Sequence, residues 1–151
     1  MATTFPSDVH LRLSEEHARI RVMLAQIEAK AAAAEETGER AAIELASLLS
    51  RLAVLLAAHN ANEEAALRPL LAQADAWAAE RVDAMVHDHV AEHAALRAMI
   101  EPLKDLLDLD RLRTSALVLV AHLRDHLEGE ERAFLNRKVL HDDLVTSGED
   151  G

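Results

Sequence analysis

Residues 86–100 read VHDHVAEHAALRAMI, and their spacing predicts a helix with an unusual interruption. Apolar side chains recur alternately four and three residues apart, at Val82, Val86, Leu96, Ile100, Leu103 and Leu107. This rhythm is typical of a helix that buries one face in a bundle. The same rhythm, continued between Val86 and Leu96, falls on His89 and His93. Two imidazoles therefore occupy positions that the rest of the helix fills with aliphatic side chains.

The whole sequence predicts an all-α fold, an antiparallel up-down-up-down four-helix bundle with a short C-terminal cap or tail. Half of its 151 residues are apolar and only 2% are aromatic. Most of the apolar residues are Ala and Leu, which favour helices. We expect one domain over residues 1–151, with the bundle over about residues 8–135 and the cap or tail over 136–151. The predicted helices cover about residues 7–38, 39–68, 79–107 and 110–134, and Pro69 is expected to end or kink the second.

The other three helices carry the same seam, and each is interrupted by a histidine. The interruptions are His17 in the first helix, His59 with Glu63 in the second, and His126 with Glu130 in the fourth. When depth is counted alternately from helix starts and ends, the four interruptions agree within about one to two turns. We therefore expect all seven polar side chains to meet at one level of the bundle.

Charge and composition exclude several classes of function. The net charge of −11 argues against a nucleic-acid-binding surface, which needs clustered Lys and Arg. The absence of cysteine excludes disulfides and thiolate ligation and fits a reducing compartment. The N-terminal segment MATTFPSDVH lacks the pattern of a signal peptide, and no membrane partner is expected. A cytoplasmic protein is the expectation.

A metal centre is the simplest way to stabilise so many buried polar groups. Each buried polar group without a partner costs about 1–3 kcal/mol, against the roughly 5–15 kcal/mol that a whole domain nets. Seven ligands are too many for one tetrahedral zinc. Two octahedral ions bridged by the two carboxylates, with a bridging oxygen and an open position, fit the count. Imidazole-rich ligation of this kind suits iron, with manganese, cobalt or zinc as alternatives. A metal-free, pH-sensitive polar core is the competing interpretation.

The four interruptions, taken in order, resemble the hemerythrin family, including the HHE cation-binding domains. The matching segments cover about residues 8–135 and read LSEEHARI, AHNANEEAALRPL, DHVAEHAAL and RDHLEGEERAFL. The resemblance implies a bundle that holds two non-heme irons with a bridging oxo or hydroxo ligand. It assigns one iron to His89, His93 and His126, and the other to His17 and His59. It assigns the two bridges to Glu63 and Glu130.

The resemblance leaves the activity open between ligand binding and catalysis. Family members bind O2 reversibly or handle NO, peroxide or iron. We expect a protein that binds O2 or NO in a pocket lined by aliphatic side chains. The alternatives are a di-iron enzyme that acts on peroxide or NO, and a ferroxidase or iron-handling protein.

The second bridge has two candidates in the fourth helix. Respiratory hemerythrins place an Asp five residues after the histidine of this helix, whereas this chain has Glu130 at plus four and Glu131 at plus five. Glu130 continues the seam, and Glu131 faces away on a regular helix. Gly129 could permit a local π-bulge that turns Glu131 inward. The seam favours Glu130.

Four histidines fall outside the predicted ligand set. We expect His10 to form a hydrogen bond at the end of the bundle, although it could line an entry path. For His122 a role in supporting the ligands or in handling protons is open. His87 is expected to be solvated, and His141 to lie in the tail.

Overall fold

A computed structural model describes residues 5–71, 78–105, 108–133, 135 and 140 of the chain. Within them the chain forms four helices and no strand, so the predicted all-α class is confirmed. The helices are α1 (Pro6–Ala32), α2 (Glu39–Leu71), α3 (Ala78–Asp105) and α4 (Leu109–Ala133). Most of the predicted cap or tail and several seam side chains lie outside the described part of the chain, namely Val82, Leu96, Ile100, Leu103 and Leu107.

The connection between α1 and α2 is held by backbone and side-chain contacts. α1 begins at Pro6, whose fixed φ suits the first helical position. It ends at Ala32, earlier than the sequence predicts. Arg113 of α4 donates to the carbonyl oxygens of Ala33, at 2.7 Å, and of Glu36. Gly38, at φ +90°, then turns the chain into α2. α1 is therefore fixed to both of its neighbours at this end.

Pro69 does not end the second helix, which was one of the two effects expected from the sequence; the other, a kink, stays a prediction. α2 continues through it to Leu71. Leu70 and Leu71 are buried, and both belong to an apolar cluster with Val9 and Leu13 of α1. Burial of these side chains offsets the hydrogen bond that proline cannot make.

Among the described residues, the buried apolar side chains form two clusters. The larger one joins α1, α2 and α4, and its members on α1 include Ile20, Leu24 and Ile27. The smaller one joins the starts of α1 and α3 to the ends of α2 and α4, with members Val9, Leu13, Leu67, Leu70, Leu71, Met85, Leu135 and Leu140. Helix starts beside helix ends are what an up-down-up-down order predicts. On α1 the two clusters meet at His17, between Leu13 and Ile20.

α2 is long and apolar enough to cross a membrane when it is judged by length and composition alone. One such helix is weak evidence, because the core helix of a bundle passes the same test. The buried face of α2 includes His59 and Glu63, so its apolar residues flank a polar pair. In this fold the buried apolar residues of α2 face the other helices of the bundle, whereas Ile43 and Val54 are exposed.

Replacement by alanine should change the free energy of unfolding in opposite directions at the two glycines whose surroundings the structure describes. A Cβ at either Gly38 or Gly129 would have no atom within 4 Å, so backbone conformation decides the outcome. Gly38→Ala should lower the free energy of unfolding by about 1 kcal/mol, because φ +90° is strained for an L-residue. Gly129→Ala should raise it by about 0.5–1 kcal/mol, because alanine favours a helix interior. Urea unfolding monitored by circular dichroism measures both, and shifts of the same sign would contradict this account.

Candidate metal centre

Six of the seven predicted ligands converge at the level where the two apolar clusters meet. We call this set the polar layer; its members are His17, His59, Glu63, His89, His126 and Glu130. All are buried except His126, whose side chain is 12% exposed. Each interrupts the aliphatic seam of its helix, and the i,i+4 spacing places Glu63 one turn after His59 and Glu130 one turn after His126.

Glu63 turns one carboxylate oxygen to each half of the polar layer. Its Oε2 lies 3.1 Å from Nε2 of His59 and 3.6 Å from Nε2 of His17. Its Oε1 lies 2.9 Å from Nε2 of His89 on α3. One carboxylate therefore extends from the imidazoles of α1 and α2 to the imidazole of α3.

Glu130 has the same arrangement from the opposite helix. Its Oε2 lies 3.8 Å from Nε2 of His17. Its Oε1 lies 3.8 Å from Nε2 of His89 and closely contacts Nε2 of His126. Both carboxylates thus have one oxygen on each side of the layer, as a carboxylate that bridges two cations requires.

The ligand atoms fall into two groups, within each of which all atoms lie within 4.8 Å of one another. One group contains His17, His59, Glu63 and Glu130, and the other contains His89, His126 and Glu130. The division between α1/α2 imidazoles and α3/α4 imidazoles matches the division between two irons that the family resemblance implies. Glu130 belongs to both groups.

His93 is the one predicted ligand that lies outside both groups. Its side chain is partly exposed on α3, one turn after His89. Its assignment as a ligand stays a prediction. Among the other histidines, His10 is partly exposed, His87 and His122 are exposed, and His141 lies outside the described residues.

The orientation of Glu130 and Glu131 follows from the regularity of α4. The helix is α-helical throughout Leu109–Ala133, so no π-bulge rotates Glu131 into the polar layer. Glu131 instead faces α1, where its Oε1 lies 3.2 Å from Nδ1 of His17 and its Oε2 accepts a hydrogen bond from Arg21 at 3.0 Å. Glu130 is therefore the inward carboxylate of the pair.

Glu131 belongs to a set of four glutamates whose position beside the imidazoles the sequence-based prediction missed, although Glu131 itself was considered as a bridge. Each lies beside Nδ1 of one imidazole of the polar layer; we call them the outer glutamates. The pairs are Glu16 with His59 at 3.0 Å, Glu64 with His89 at 3.2 Å, Glu131 with His17 at 3.2 Å, and Glu92 with His126 at 2.5 Å. The last pair is close but is misaligned for a hydrogen bond, since Glu92 Oε2 has no hydrogen-bond partner among the described residues. A signal was present in the sequence, because every outer glutamate is adjacent to a predicted ligand.

The charges of the polar layer depend on one another. Burial disfavours ionised Glu63, but its contacts with His17, His59 and His89 outweigh burial and hold its pKa far below the usual range. Burial, together with the proximity and charge of Glu63, raises the pKa of Glu130 to about 10. Burial lowers the pKa of His59 and His89, but Glu63 outweighs it and raises both pKa values. Ionised Glu63 thus favours the protonated forms of Glu130, His59 and His89, and a metal cation would compete with these protons for the same atoms.

The donor atoms of the layer fit a metal cation better than they fit one another. Nε2 of His17 lies 3.1 Å from Nε2 of His59, while the Nδ1 atoms of both rings face carboxylates. If each Nδ1 donates its proton to its carboxylate, two lone pairs face each other at Nε2. The carboxylate oxygens of Glu63 and Glu130 are buried without hydrogen-bond partners of standard geometry within the described residues. Metal cations bound between these atoms would give each of them a partner.

Comparison with known proteins points to the same chemistry. A family model described as the hemerythrin HHE cation binding domain matches residues 10–137, well over half of the chain. No curated protein and no solved structure matches the chain at a significant level. The matched range includes all seven predicted ligands, and the buried His/Glu layer could hold a metal as that description requires. The chain therefore belongs to the hemerythrin HHE cation-binding domain family.

Proposed function

We propose that the polar layer holds two iron ions and binds O2 or a related small ligand such as NO. The observation that carries this proposal is the placement of two carboxylates across two sets of imidazoles. Glu63 and Glu130 each have one oxygen on either side of the layer. A single cation would use one set and leave the other set of buried donors unsatisfied. Two cations use both sets.

The residues divide between the two ions as follows. His17 and His59 would hold one ion, and His89 and His126 the other, with His93 as a predicted third imidazole of the latter. Glu63 and Glu130 would bridge them. An iron pair supplies a redox-active position at which a small molecule such as O2 can be bound. The protein contributes neutral imidazoles, carboxylates that balance the charge, and apolar clusters on both sides of the layer that limit access of water.

A cavity between α3 and α4 supports small-ligand access to the second ion. It has a volume of about 290 Å³ and ends at His89, His126 and Glu130. The sequence predicts an aliphatic pocket, but this cavity is lined largely by polar side chains, including Asp88, Glu92 and Asp125. The aliphatic ligand pocket therefore stays a prediction, and this cavity is a polar entrance between the faces of α3 and α4.

The acidic lining of this cavity favours iron handling as a second candidate function. Asp88 and Asp125 are exposed, and Glu92 is partly exposed, so three carboxylates lie along the way to the buried ligands. Carboxylates attract cations and disfavour anions. A protein that takes up ferrous iron and oxidises it would use such an entrance.

Titration of the anaerobic di-ferrous protein with O2, followed by deoxygenation, separates the two functions. Reversible ligand binding predicts an absorption band that appears with O2 and disappears when O2 is removed. Immediate oxidation that deoxygenation does not reverse would contradict reversible binding and support iron handling or another enzymatic role. The same titration with NO tests the related ligand.

The proposed ligand set predicts the iron content of single variants. After anaerobic loading with ferrous iron, the protein should carry about two irons per chain, as two sets of ligands imply. His59→Ala should lose most of this iron, because it removes a buried donor between Glu16 and Glu63. The exposed His87 provides the control, and His87→Ala should keep full iron. Metal analysis that finds one zinc and no iron in the loaded protein would contradict the di-iron proposal.

The neighbouring carboxylates of α4 predict different effects of the same substitution. Glu130→Ala removes an inward carboxylate from both ligand groups, so it should lose about one iron per chain or the spectrum of a bridged pair. Glu131→Ala leaves both ligand groups intact and should retain both irons at saturating iron. Iron analysis and magnetic spectroscopy measure the difference. The reverse pattern would assign the second bridge to Glu131, at the spacing of the respiratory members.

A further inference from the structure

The contacts between outer glutamates and imidazoles form a ring around the bundle, from each helix to the next and from α4 back to α1. Each helix provides one imidazole to the polar layer and one outer glutamate to the imidazole of a neighbouring helix. Glutamates of α1, α2, α3 and α4 lie beside imidazoles of α2, α3, α4 and α1, respectively, in the pairs Glu16–His59, Glu64–His89, Glu92–His126 and Glu131–His17. No helix lacks either role.

Helix geometry explains why this order closes. Successive residues of an α-helix are about 100° apart around its axis. When one residue points to the centre of the bundle, its neighbour in sequence points sideways to an adjacent helix. Three outer glutamates are such neighbours, since Glu16 precedes His17, Glu64 follows Glu63 and Glu131 follows Glu130. Glu92 lies three residues after His89, which turns it about 60° from that imidazole around α3.

The contacts constrain which ring nitrogen carries the proton. An ionised carboxylate can only accept, so the Nδ1 atom that faces it must be the donor. In a neutral imidazole the lone pair then lies on Nε2, and every Nε2 of the polar layer faces inward towards Glu63 or Glu130. The same contact fixes the plane of the ring. Hydrogen bonds to Glu16, Glu64 and Glu131 thereby set three rings, with their lone pairs directed at one small volume. At the fourth ring, His126, the Glu92 carboxylate lies close to Nδ1 without a hydrogen bond of standard geometry.

We propose that the four outer glutamates are positioning residues that set the imidazoles of the polar layer, before metal binds, in the tautomer and orientation that a metal ion requires. The inference rests on the proposed metal-binding function. The glutamates act through the imidazoles and do not themselves hold the metal. Their negative charge also favours a cation bound at Nε2 of the same ring.

Glu16 gives the sharpest test because it is the most buried of the four. It is 6% exposed and accepts a hydrogen bond from Nδ1 of His59 at 3.0 Å. The adjacent Glu15 is exposed and provides a matched control. The readout is the affinity of the full-length protein for Zn²⁺ alone, measured by competition with a chelator. Thermal unfolding of each metal-free variant monitors the fold separately.

The inference predicts an order of affinities. Glu16→Ala should bind Zn²⁺ about 10- to 100-fold more weakly than the unsubstituted protein, the range found when a partner of a ligating histidine is lost. Glu16→Gln should lose less, because its amide oxygen still accepts from Nδ1 of His59. Glu15→Ala should bind as the unsubstituted protein does. In the Zn²⁺-loaded protein, proton NMR should show a slowly exchanging Nδ1–H of His59 that Glu16→Ala alone among these variants loses.

The outcomes separate this inference from the proposed function. Unchanged affinity in Glu16→Ala would overturn the positioning role while the metal site stands. An equal loss of Zn²⁺ affinity in Glu16→Gln and Glu16→Ala would show that a hydrogen-bond acceptor for Nδ1 of His59 is not what matters. Failure of the unsubstituted protein to bind Zn²⁺ or Fe²⁺ would overturn both the inference and the proposed function. If Glu16→Ala does not fold, Glu131→Ala applies the same test at His17, with the exposed Glu128→Ala as its control.

Discussion

The structure depends on one constraint, which is that a layer of ionisable side chains lies between two apolar clusters. Three carboxylates, counting Glu16, and three imidazoles are buried at this level, and a fourth imidazole is nearly so. Each would cost about 1–3 kcal/mol if it were left without a partner, so the layer would cancel much of the stability of a small domain. The helices are arranged so that these groups meet. The clusters on either side exclude water, which makes each contact within the layer stronger than it would be at the surface.

Two sets of glutamates give the buried imidazoles their polar partners. Glu63 and Glu130 face inward and contact the Nε2 atoms, whereas the outer glutamates contact the Nδ1 atoms from the side. The inward pair is strongly coupled, since ionised Glu63 raises the pKa of Glu130 to about 10. Arg21, paired with Glu131, contributes positive charge at the rim of the layer. At the centre of the layer, the carboxylates of Glu63 and Glu130 and the Nε2 atoms are the groups that cations would bind.

The fold and the centre of the site could be predicted from the sequence because both follow from helical periodicity. The seam of alternating four and three located all four helices, and its polar interruptions located the polar layer. The outer glutamates could not be found this way, because their role depends on the neighbouring helix that each one faces. Periodicity also placed His93 on the seam. Which turn of α3 faces the centre depends on the tilt of that helix, and the side chain of His93 is partly exposed. Pro69 does not end α2, as its local effect alone would predict, because burial of Leu70 and Leu71 outweighs that effect.

The central claim is that this layer is built for two cations bridged by Glu63 and Glu130. Anomalous diffraction at the iron absorption edge, from crystals of the protein loaded anaerobically with ferrous iron, tests it most directly. The account predicts two anomalous peaks, one beside the imidazoles of His17 and His59 and one beside those of His89 and His126, with both carboxylates between them. A single peak, or iron bound at the exposed carboxylates with none in the layer, would contradict it.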